Sequence, residues 1–194
     1  YSLTPIDHEA PIRVRSGISG NVRSNTTGER QFSVTELWAE PPERCRMVAR
    51  TPAREHDVRL GVVSRLRAGE LAEPAVAVID HDVVWTYYIL RSAKGRTITI
   101  DRHIVLTSSE DMRHGCVAGL EQELDAAAEQ GFDAALEEQR AAWAELWRRC
   151  DVQIEGDDPA QLGLRFCLFH LVQAAPRFTD RLSVPVKLLT GEFY

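Results

Sequence analysis

The composition of this chain changes abruptly near Met112. Ahead of that point Val, Thr and Ile set the pattern; beyond it Ala, Glu, Gln and Leu replace them, so strand propensity gives way to helix propensity. Residues 12 to about 107 read as strand-like runs separated by turn chemistry. The runs cover 12–15, the stretch marked by Phe32, Val34, Leu37 and Trp38, then 47–50, 58–66, 83–90 and 98–106. Ser16-Gly17-Ile18-Ser19-Gly20-Asn21 supplies the flexible residues of a turn. Thr97-Ile98-Thr99-Ile100-Asp101 alternates with period two, as a sheet with one wet face does. Several such strands at this spacing imply an antiparallel β-sandwich.

The helical part divides into a candidate helix over 113–130, a break at Gly131, and a second over 132–149. In the second, Phe132, Leu136, Trp143, Leu146, Trp147 and Cys150 keep largely to one face. Such a stripe reads first as core or interdomain packing. An extended link over 151–156 follows. Asp158 as cap, Pro159 at the first helical position and Gln161 three residues after the cap then mark a third helix. From Leu162 to Ala175 that helix is apolar nearly all round, so it needs neighbours on more than one side. This chain offers too few, and Pro176 ends the helix.

Size and charge exclude several classes. The 194 residues carry 44% hydrophobic and 27% charged side chains, ordinary for a globular chain. Their 23 basic and 29 acidic residues give a net charge of -6, and the basic ones are scattered rather than gathered on one face as nucleic-acid binding requires. Only Lys94 and Lys187 among the cations are lysine, a bias attributable to genomic base composition. No apolar run reaches the roughly 18 residues of a membrane span. Cys45, Cys116, Cys150 and Cys167 are widely spaced without metal-ligand partners, which suits free thiols in a reducing compartment. No G-x-G-x-x-G or P-loop supports a nucleotide. The chain opens without Met and ends in a dense, loop-like stretch over 183–194, so it is expected to be an interior piece of a longer protein.

Several ordered motifs carry a family resemblance. They are Trp143-Ala144-Glu145-Leu146-Trp147, then Asp151-Val152-Gln153-Ile154-Glu155-Gly156-Asp157, then Gln161, Leu164-Arg165-Phe166, Leu168-Phe169-His170-Leu171 and Gln173. The chain resembles glycoside hydrolase family 65, which holds disaccharide phosphorylases and related hydrolases. The resemblance implies an α+β fold: an antiparallel β-sandwich (residues 1–111, its front missing), a helical linker (112–150), and the first helix of an (α/α)6 catalytic barrel (151–194, truncated). It also implies an inverting phosphorylase of α-linked glucose disaccharides, yielding β-glucose 1-phosphate and glucose, with this piece inactive alone. Inorganic phosphate would be the co-substrate, with no cofactor and no metal. A cytoplasmic homodimer is expected. An α-glucoside hydrolase of the trehalose type, or a non-catalytic carbohydrate-binding or assembly sandwich, stands as the alternative.

The family's catalytic acid matches no residue here, so no catalytic residue is assigned. The final loop lies nearest the sugar by the same resemblance, making Lys187, Glu192 and Tyr194 the candidate substrate contacts, with loop packing the competing role. Val186, Leu188 and Phe193 depart from the family's Ala, Gly and Gly. The two lost glycines imply a different loop conformation, a remodelled site or an inactive relative. His170 reads as a hydrogen-bonded core histidine and Arg165 as a partner for a carboxylate or backbone carbonyls. His81-Asp82 and Asp101-Arg102-His103 read as polar residues at strand ends rather than acid–base clusters.

Overall fold

A computed structural model describes residues 1–25, 27–52, 56–115, 117–175 and 183–184. Two compact units are present. The first comprises Tyr1–Ser24 and Glu29–Ala135; the second takes in the remainder of the long helix from Leu136 and the helix after it.

The first unit is two antiparallel sheets. β1 (Ser2–Leu3), β8 (Ile98–Ser108), β5 (Asp57–Ala68), β4 (Arg44–Arg50) and β3 (Ser33–Glu40) form the larger in the order β1-β8-β5-β4-β3. β2 (Ile12–Ser19), β7 (Val83–Arg91) and β6 (Glu70–Asp80) form the smaller in the order β2-β7-β6. The sandwich expected from the strand-rich half is therefore present. Alternation along β7 shows why: Val84, Thr86, Tyr88 and Leu90 are buried between the sheets while their neighbours point outward.

The core between the sheets has two apolar clusters. One gathers Ile18, Met47, Ala49, Val62 and Val84; the other gathers Leu90, Ile98 and Ile100. Buried polar groups bond across the layers: Ser16 Oγ to Ser64 Oγ at 2.8 Å, and Cys45 Sγ to Thr86 Oγ1 at 3.4 Å. The Tyr88 hydroxyl donates to Pro42 O and, at 3.4 Å, to Ser64 O. Each of these polar side chains has a partner, the condition under which burying it is tolerable.

Strand lengths depart from expectation at two places. Residues 16–19 continue β2 instead of turning, because Ser16 and Ile18 face the core and Gly17 leaves room for its neighbour. A Cβ on Gly17 would stand 2.0 Å from Val84 O and 2.5 Å from Trp85 Cε3. β6 was not anticipated at all: Pro74 and two register shifts, at Leu71/Glu73 and Glu73/Val76, break its period.

A five-residue helix α1 (Ser109–Arg113) follows β8. Ser108 and Asp111 cap it reciprocally. The long helix α2 (Leu120–Cys150) starts seven residues later than the sequence pattern places it, after Gly115 and Gly119, both at positive φ. Gly131, at φ 74° and ψ 169°, interrupts it where the break was expected. Its first half lies on the outer face of the larger sheet, where Leu124 and Ala128 bury against Val63 and Val105. Burying Leu124 fully contributes about 2–3 kcal/mol. Gly61 makes this approach possible, since a Cβ there would sit 3.0 Å from Leu124 Cδ2.

Arginines hold that half in place. Arg44 pairs with Asp125 and, at 3.5 Å, with Glu121; Arg46 reaches Glu121 at 3.2 Å. Arg65 donates to Ala128 O at 3.2 Å, and Arg67 pairs with Asp133 at 2.7 Å. The arginine bias credited to base composition thus has a structural task at these four positions.

Candidate functional site: the polar link and aromatic pair of the helical unit

The second unit joins the end of α2 to α3 (Asp158–Ala174) through the link that carries the family-type motif. Arg165 on α3 grips Asp151 in the fork geometry, Nε to Oδ1 at 2.9 Å and Nη2 to Oδ2 at 2.5 Å. That pairing was expected. The guanidinium holds the Asp151 carboxyl below its ordinary range and is itself raised. Gln161 stitches the link from the same helix: its Oε1 accepts from Ile154 N at 2.7 Å and its Nε2 donates to Val152 O at 3.0 Å.

The cap falls one residue earlier than expected. Asp157, not Asp158, accepts from Ala160 N at 2.9 Å, which moves Pro159 to the second helical position and releases Gln161 from a capping box. The released side chain is what makes the stitch. Trp143 and Trp147 stack with centroids 5.8 Å apart, and Phe169 packs on Trp143 at 4.8 Å, so the tryptophan stripe is core packing for the helix pair. His170 is half-buried, set edge-on to Phe166 at 4.4 Å and Phe169 at 5.3 Å.

The far side of α3 is bare. Leu162 is 72% exposed and Phe166 62%, while Ala174 is the buried residue of the helix. The arrangement therefore positions α3 and presents its apolar side. Among the described residues no proton donor and acceptor converge on a cleft in it. Lys187, Glu192 and Tyr194 lie outside the described residues, as do Val186, Leu188 and Phe193.

The other candidate polar groups occupy the sandwich. His81 and Asp82 form the two-residue loop between β6 and β7, with His81 at φ 49°, and Asp82 pairs with Arg30. The Asp101-Arg102-His103 run is not at a strand end: it sits inside β8, with Asp101 3.3 Å from Arg67 and Arg102 donating to Gly17 O at 2.7 Å. These are structural pairings. Two open concavities, of about 820 and 710 Å³, have walls of mixed charge in which acids and arginines already pair, as Arg91 with Glu70 at 3.6 Å and Arg50 with Asp57 at 2.8 Å. Among the described residues no group of three metal-ligating side chains assembles, and no helix is long and apolar enough to cross a membrane. Cys45, Cys150 and Cys167 are free thiols, and burial pushes the Cys45 thiol up.

The described residues thus form an antiparallel β-sandwich followed in the chain by a helical unit. The glycosyl hydrolase family 65 N-terminal domain matches residues 1–146, and the chain belongs to that family. A kojibiose phosphorylase of Thermoanaerobacter brockii is 34% identical over 109 residues, 56% of this chain and 14% of that protein. A kojibiose phosphorylase of Caldanaerobacter subterraneus is 27% identical over 100% of this chain and 27% of that protein. An α,α-trehalose phosphorylase of Thermoanaerobacter brockii is 32% identical over 100% of this chain and 26% of that protein. The chain thus spans about a quarter of the relatives it matches end to end.

Proposed function

We propose that the chain is the front part of an inverting phosphorylase of an α-linked glucose disaccharide, converting phosphate and disaccharide to β-glucose 1-phosphate and glucose. One observation carries this reading: the whole chain aligns with phosphorylases that the relatives' names assign to two different disaccharides, kojibiose and trehalose. In such chemistry a carboxylic acid protonates the glycosidic oxygen while phosphate attacks the anomeric carbon from the opposite face. The acid belongs to chain beyond these residues, so this piece turns nothing over by itself.

On this reading residues 1–111 are sandwich, 112–150 linker, and 151–194 the entry to the (α/α)6 barrel. The bare side of α3, Leu162 and Phe166 above all, supports the last assignment, because barrel neighbours would cover it. Lys187, Glu192 and Tyr194 would meet the sugar or order the loop beside it. A cytoplasmic homodimer, free of cofactor and metal, completes the proposal. The test is to incubate the full-length parent with α-glucobioses of each linkage, with and without phosphate. Glucose 1-phosphate released only with phosphate supports the phosphorylase; glucose released equally without it would establish a hydrolase instead.

A further inference from the structure

One edge of the larger sheet is only partly paired. β8 is bonded to β5 along its length, but on its other side β1 pairs with it only at Ile98 and Thr99. Tyr1 adds one rung: its nitrogen donates to Ile100 O at 3.0 Å and its carbonyl accepts from Ile100 N at 2.9 Å. Backbone groups alternate sides along a strand, so those of Arg102, Ile104 and Leu106 point the same way as those of Ile100. Among the described residues they have no ladder partner on that side. Nor is the edge blunted, since from His103 to Ser108 it carries no Lys, no Pro and no bulge, and Ile104 is 56% and Leu106 64% exposed.

A trough runs beside this edge. The stretch 104–107 of β8 forms one wall and one face of α2, Glu123, Ala126, Ala127 and Gln130, forms the other, leaving an open volume of about 640 Å³. The two alanines in the middle of the helical wall leave room for a backbone. Strands lie about 4.8 Å apart within a sheet, so a strand added to β8 would fill the trough while satisfying the open edge.

We propose that the stretch of the parent chain immediately ahead of Tyr1 lies in this trough as a continuation of β1, pairing antiparallel with residues 101–107 of β8. Register selects this occupant. Ser2 stands opposite Thr99 and Tyr1 opposite Ile100, so each residue further ahead moves one position along β8. The residue four ahead of Tyr1 then faces Ile104, and the one six ahead faces Leu106, covering both; the one five ahead turns to the opposite face, toward Ala126 and Ala127. A second copy, by contrast, would have to enter a trough whose ladder β1 has already begun. The proposal rests on reading the chain as part of a longer parent and not on the reaction, so its test is read without activity.

Cysteine pairing in the full-length parent tests the register, with thermal unfolding of each variant confirming that it folds. Leu106→Cys is combined with a cysteine six residues ahead of Tyr1, a pair whose Cα atoms would stand about 5.5 Å apart, within disulfide reach. Mild oxidation and peptide mapping should find that link within one chain, and about tenfold less of it when the second cysteine is five or seven residues ahead, where side chains point to the other face. Hydrogen exchange of the unmodified parent is the second reading: the amides of Arg102, Ile104 and Leu106 should exchange about 100-fold or more slowly than in an unstructured peptide. Rapid exchange there would overturn the proposal. Protection without the in-register link would give the edge to another segment, and a link between two chains would give it to a second copy; either refutes it, as does a parent chain that starts at Tyr1. A parent that fails these tests yet releases glucose 1-phosphate would leave the phosphorylase reading standing.

Discussion

Tyr88 carries a titratable group almost fully withdrawn from water. Burial between the sheets pushes its phenol up to about 12, opposed in part by the Ser64 side chain. The neutral form is the one the fold favours. Its contribution is therefore complete below the unfolded value near 10, fades as pH rises between about 10 and 12, and is gone above; a rise of that size is worth about 2–3 kcal/mol. Chemical unfolding followed from pH 9 to 12 should show this loss, and Tyr88→Phe should flatten it while costing about 1–2 kcal/mol at neutral pH through the unpaired carbonyls. Asp151 runs the other way. Arg165 depresses its carboxyl, so its support is present above the unfolded value of about 3.9 and is lost as pH falls through the folded value. Tryptophan emission from Trp143 and Trp147 should shift across that acid window in the native chain, whereas Asp151→Asn should show no step there. The Arg165 pairing was legible in the sequence because a lone cation in an apolar helix must find a carboxylate or carbonyls. The bonds among Ser16, Ser64, Thr86 and Tyr88 were not, since small polar residues in strand-like runs suit either face equally well.

At the scale of elements, the packing of α2 onto the larger sheet is decided by one missing side chain. Gly61→Val would drive methyl groups into Leu120 and Leu124, which already stand 3.0–3.3 Å from an ideal Cβ. Denaturation should show a loss of about 1–3 kcal/mol, with amide protection falling first between Leu120 and Ala128. Asp157→Ala should cost about 1 kcal/mol and fray the first turn of α3, whereas Asp158→Ala should leave that turn intact, a contrast that places the cap. The strands with clean alternation were legible; β6 was hidden because bulges and Pro74 break the alternation on which such a reading depends. The extension of β2 was hidden for another reason: glycine and serine, read as turn formers, are here residues small enough for close sheet contact. The Gly131 break was legible, since glycine there takes a conformation that other residues rarely adopt.

Beyond the sandwich, the chain carries a helix whose apolar side is open. Exposed Leu162 and Phe166 predict that the isolated chain associates through α3, and that Leu162→Glu with Phe166→Glu makes it more soluble without lowering the unfolding midpoint of the sandwich. If the double variant left association unchanged, the bare side of α3 would not be the sticky surface. What the sequence disclosed at this scale it disclosed through ordered motifs, Trp143 to Gln173, and not through a site. The residues it nominated for sugar contact, Lys187, Glu192 and Tyr194, lie outside the described residues. The most direct measurement is a proton NMR time course of the full-length parent with an α-glucobiose and inorganic phosphate. The account predicts glucose 1-phosphate appearing first as the β-anomer; formation of the α-anomer, or of glucose alone at a rate indifferent to phosphate, would contradict it.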